Sequence, residues 1–140
     1  MKLTIPIEKS FDCPEGIFSG TFVEHKLTTK PTETGLQDCA RLVFQVDELS
    51  TDDKLVLVGK NFFPSLKKGS KLRQMLDFWL GAEFVPTHKQ GNQLDFDLLN
   101  GRKADLVVKH IDNEGHPKPY VFLEGFFPPG SISDEAKEGI

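Results

Sequence analysis

Three lysines and two phenylalanines fall within nine residues, Lys60-Asn-Phe-Phe-Pro-Ser-Leu-Lys-Lys68. That mixture suits single-stranded nucleic acid. Cations track the phosphate backbone, and flat side chains stack on bases at about 1–3 kcal/mol per base. Residues 54–73 hold Lys54, Lys60, Lys67, Lys68, Lys71 and Arg73 and no acid, whereas residues 1–53 hold five basic and ten acidic residues. The whole chain carries a net charge of −4, which excludes a histone-like polycation but leaves a local polyanion site open. The alternative for this stretch is a solvated face without a partner.

Other chemistries find less support. Lys68-Gly-Ser-Lys71 lacks the spacing of a phosphate-binding loop. The four histidines include no i, i+4 pair, and the ligand types in His110-Ile-Asp-Asn-Glu-Gly-His116 do not by themselves make a metal site. Asp95-Phe-Asp97 reads as turn or capping carboxylates, with nothing to raise one pKa for acid–base work. Cys13 and Cys39 carry no local activation signature. The expected strand pairing sets them about twelve residues apart along a strand, too far for a disulfide, so two reduced thiols are expected. The expectation is a non-enzymatic protein with no catalytic residue, metal or cofactor.

The elements that must position these side chains follow from periodicity. A length of 140 residues, with 38% apolar and 27% charged residues, fits one globular domain. No apolar run approaches the ~20 residues of a membrane helix. The start has no apolar signal core either, so a cytoplasmic protein is expected. Residues 16–27 read as a long strand in which Gly20 marks a bend or a close backbone approach. Residues 28–38 read as a loop. Residues 39–48 alternate cleanly, and 54–63 form a third strand. Leu72, Met75, Leu76, Trp79 and Leu80 then follow a helical spacing between Ser70 as N-cap and Gly81 as stop. That helix is roughly 16 Å long, enough to plug one end of a small barrel, and Trp79 belongs to its core stripe. Residues 82–100 are mixed and polar. Residues 102–111 and 120–127 are the fourth and fifth strands, with a loop at 112–119. An irregular arm spans 1–14, and residues 131–140 read as an acidic flexible tail after a domain over 1–130.

Five strands with one helix between the third and fourth match a five-stranded OB-fold-like barrel, mainly β, with a small sandwich as the alternative. OB-folds bind on the face of strands two and three, flanked by the 1–2 and 4–5 loops. If the Lys60 side of strand three faces solvent, Lys54, Lys60 and Phe62 line it. Arg41 and Gln45 then join from strand two, Lys67 and Lys68 follow, and the loops bring Lys30, His116 and Lys118. Tyr120 serves equally for stacking or for anchoring the last strand. The candidate nucleic-acid-binding set is therefore Arg41, Gln45, Lys54, Lys60, Phe62, Lys67, Lys68, Lys118 and Tyr120.

Lys60-Asn-Phe-Phe, the helix from Ser70 to Gly81, Asp97 to Lys103, Ala104 to His110 and Tyr120 to Pro129 occur in an order that resembles small phage-encoded OB-fold single-stranded-DNA-binding replication proteins. The resemblance covers about two thirds of the chain. It implies a phage or mobile-element replication or recombination setting in the bacterial cytoplasm, with single-stranded DNA as partner. The acidic first 53 residues depart from it, as does the lack of a dense acidic terminal run with an aromatic tip. The net charge of −4 and the acidic first strand favour the competing function, a barrel that recruits a replication protein with little or no DNA binding. Oligomeric state is open, a homodimer included.

Overall fold

The computed structural model describes residues 6–112, 115 and 119–130. Six strands dominate: β1 (Glu8–Ser10), β2 (Gly16–Thr32), β3 (Gly35–Val46), β4 (Lys54–Phe62), β5 (Lys103–Ile111) and β6 (Tyr120–Phe127). Helices α1 (Lys71–Leu80) and α2 (Phe84–His88) and a 3-10 turn at Phe96–Leu99 fill the span between β4 and β5. The sheet order is β1-β4-β3-β2-β5-β6. All pairings are antiparallel except that of β1, which lies parallel on the edge of β4. The sheet curls into a half-barrel until β4 touches β6. Among the described residues no backbone ladder joins those two strands. No helix there is long and apolar enough to cross a membrane.

The curl begins in β2. Its residues 16–21 pair with β5 and its residues 20–32 pair with β3, with a bulge between Phe22 and Glu24. Bulges bend a strand and raise its twist. Gly20 lets the layers close, since a methyl there would collide with Leu106 and the Gln45 carbonyl. Inside the curl, Phe22, Phe44, Phe62, Trp79 and Phe126 form one aromatic cluster packed by Leu42, Leu76 and Leu106. Helix α1 contributes Leu72, Leu76 and Trp79 to it, and the indole N–H donates to the Lys103 carbonyl at 2.8 Å. Ser70 caps the helix by accepting from the Arg73 amide, and Gly81 ends it at φ 94°. Asp95 accepts from the Asp97 amide as the cap of the 3-10 turn.

Three expectations need correction. The protein has six strands rather than five, because residues of the arm add β1. The stretch 28–38 is no loop: β2 and β3 run on as a two-stranded ribbon that turns at Glu33-Thr34. Pro31 fits there because β5 pairs only as far as Thr21, so that edge of the ribbon needs no donor. The span 82–100 holds α2 and the 3-10 turn, whose Phe84, Val85 and Leu99 are buried. The expected tail at 131–140 lies outside the described residues.

Candidate nucleic-acid interface

Alternation along β3 sends Ala40, Leu42, Phe44 and Val46 into the core and sets Arg41, Val43 and Gln45 on the other face, where Val43 is itself buried. On β4, Val56, Val58 and Phe62 share the core side, and Lys60 has their parity. Register places Arg41 opposite Asn61 but Leu42 opposite Lys60. Arg41 and Lys60 therefore stand on opposite faces of the sheet, and the expected common face does not form. Phe62 is 5% exposed, with its ring edge-on to Phe126 at 6.0 Å. It is core.

Lys60 closes the seam. Its ammonium donates to the Leu123 carbonyl of β6 at 3.3 Å, where a ladder bond is missing. It lies 4.5 Å from the Phe122 ring centroid and 5.8 Å from that of Phe62. Burial lowers its pKa from the ordinary 10.5, Lys71 pushes the same way, and Glu124 opposes. One of the three donors of Lys60 is thus engaged within the fold.

Arg41 is placed for an outside ligand. Its guanidinium lies flat over Gly59, where any side chain would strike it. It donates to the Asn61 side-chain oxygen at 3.2 Å and sits 5.9 Å from the Phe11 ring centroid. Phe11, Arg41 and Gly59 line an open pocket of about 270 Å³ together with Leu57, Val58, Pro119, Tyr120 and Val121. Phe11 is 48% exposed and Tyr120 53% exposed. The ribbon prolongs this face: Lys26 pairs with Arg41 across β2 and β3, and Lys30 shares its parity. Lys26 pairs with Glu24 at 3.3 Å, a surface pair of small energetic weight.

The other expected residues scatter. Gln45 faces outward, but its amide donates to Asp47 at 3.5 Å within a network that holds Thr21 and Lys103. Lys54 is exposed at the start of β4, and Lys67 and Lys68 are exposed beyond its end. Eight residue steps, roughly 26 Å, separate the two ends of that strand. The basic stretch is therefore contiguous in sequence but not in space. Lys118, with His116, lies outside the described residues. Sequence reasoning placed Arg41 and Tyr120 in the candidate set, where the fold makes them neighbours. It missed Phe11, because an aromatic residue in an irregular arm gives no periodic signal. It missed Lys26, because the register that sets it beside Arg41 depends on a turn inside the supposed loop.

Cys13 and Cys39 are free and buried, and burial pushes the Cys13 thiol up to about 11. A second open pocket, of about 340 Å³, adjoins the first at Pro119 and Val121 and is walled by Asp12, Cys13, Pro14 and His110. No protein-family model and no curated protein matches the chain.

Proposed function

We propose that this protein is a non-enzymatic, sequence-tolerant single-stranded-DNA-binding protein of OB-fold type, acting in phage or mobile-element replication or recombination. The fold reading is supported by the long strand β2 pairing with both β3 and β5. The helix between β4 and β5 supports it too, as does the approach of β4 to β6 in the same direction. Strand β1 is then an addition on the barrel's open side.

One observation carries the function. An outward guanidinium and a half-exposed tyrosine line the same open pocket on the outer face of β3 and β4, and Lys26 and Lys30 extend the cationic line along the ribbon. Cations following a backbone beside a flat ring are what a single strand requires.

A second reading, recruitment of a replication protein, is favoured by Leu27 and Leu36, which stand 79% and 77% exposed on the ribbon. Fluorescence anisotropy of labelled oligo-dT decides between them, read at about 50 and about 200 mM salt with duplex DNA as control. Micromolar binding to the single strand that collapses with salt is expected. Absence of binding at the lower salt sinks the DNA reading and leaves the recruitment reading.

A further inference from the structure

The arm before β2 crosses the open seam and is held at both sides of it. On one side, β1 lies along the start of β4, and the Glu8 amide donates to the Asp53 carbonyl at 2.9 Å. On the other side, His110 of β5 holds the arm twice. Its backbone amide donates to the Glu15 carboxylate at 2.7 Å, and its ring Nε2 lies 2.6 Å from the Cys13 carbonyl. A carbonyl only accepts, so that nitrogen carries the proton. Between the two clamps, the Asp12 amide turns back to the Ser10 hydroxyl at 3.2 Å. Phe11 sits at that turn. Nothing in the core needs its ring, which stands half-exposed over Arg41.

We infer that the docked arm supplies a wall of the DNA site: Phe11 and Tyr120 form a slot for one base of a single strand, with Arg41 at its floor to meet the phosphate or the base edge. The inference rests on the DNA-binding reading above and adds that the site is complete only while the arm is docked. A three-residue strand in which Glu8 and Lys9 are exposed is the kind of element that opens locally at low cost. Arm release would carry away one wall. Linkage then requires the converse, that a bound strand holds the arm down.

Two readouts on the full chain test this. In oligo-dT binding near 50 mM salt, Phe11→Ala and Phe11→Leu should each weaken affinity about tenfold, while Phe11→Tyr should bind like the wild type. A role limited to apolar docking of the arm would instead spare the leucine variant. The second readout is the rate of Cys13 alkylation in the wild-type protein, followed by peptide mass spectrometry, with Cys39 as internal reference. Cys13 belongs to the arm and is 3% exposed while the arm is docked, so it reacts on release. Oligo-dT should slow that reaction severalfold. Wild-type affinity in Phe11→Leu, or faster alkylation with DNA bound, would overturn the inference while the function stands. Faster alkylation would mean that the arm is displaced by the strand. If the wild type binds no oligo-dT, the inference falls together with the reading it rests on.

Discussion

Arg41 and Lys60 occupy neighbouring strands, each beside a phenylalanine ring and a short polar contact. Arg41 has the Phe11 ring and the Asn61 amide oxygen. Lys60 has the Phe122 ring and the Leu123 carbonyl. They stand on opposite faces of the sheet. The contacts of Lys60 are all groups of the fold, and they substitute for a ladder bond at the seam. The guanidinium of Arg41 presents five donors, of which one meets Asn61, on the face opposite to that of Lys60. A cation beside an aromatic ring is therefore not a site by composition alone. The face of the strand decides.

The largest effect that would break this contrast belongs to the inner face. Phe62→Ala empties a place in the aromatic cluster and should cost about 3–5 kcal/mol of unfolding free energy. Urea titration read by the single tryptophan, Trp79, measures it. A variant as stable as the wild type would mean that Phe62 is not core, and the interior assignment of Lys60 would fall with it. The same cost explains why Phe62 is a poor residue for testing DNA binding, since loss of fold would mimic loss of function.

The next effect lies on the outer face. Arg41→Ala should weaken oligo-dT binding more than tenfold near 50 mM salt and leave the unfolding midpoint nearly unchanged. Arg41→Lys sharpens the result. It keeps the charge and loses the planar fork, so the salt dependence should persist while affinity falls by a smaller factor. Equal binding by all three proteins would show that the groove around Gly59 is not where the strand lies.

Much of the frame was legible in the sequence because its signals are local. The alternation of Ala40, Leu42, Phe44 and Val46 marks an inner face without any knowledge of neighbours. Ser70, the helical spacing and Gly81 define α1 to within a residue. The basic stretch misled because charge adds up along a sequence while a ligand meets a surface. Lys54, Lys60 and Lys67 leave β4 at its start, through the seam and past its end. The side of β4 that faces inward hung on its register with β3, a pairing between distant residues. The strand carries apolar residues at both parities, Leu55 and Leu57 against Val56 and Val58, so its pattern alone did not choose a face. The ribbon was hidden by its proline and threonines, which read as a loop until the absence of an outer neighbour makes them acceptable.

The smallest effect separates the two cations by titration. Burial holds Lys60 below 10.5, and Lys71 adds to the shift against the opposing Glu124. The folded protein thus binds this proton less tightly than the unfolded chain does. The contribution of Lys60 to stability is therefore complete above 10.5 and is lost as pH falls through the lowered value. Lys60→Met carries no such proton. The stability of the wild type minus that of Lys60→Met should rise as pH climbs through the lowered value toward 10.5, and subtraction cancels titrations common to both. At neutral pH the substitution removes one seam bond at a part-exposed position, so its cost should stay within about 1 kcal/mol. Its oligo-dT affinity should match the wild type. Arg41→Ala retains Lys60 and should keep the wild-type profile. A flat difference for Lys60→Met would mean that its ammonium is solvated like any surface lysine. Lost DNA affinity in that variant would move the site toward the seam, and the two cations would then act on one ligand.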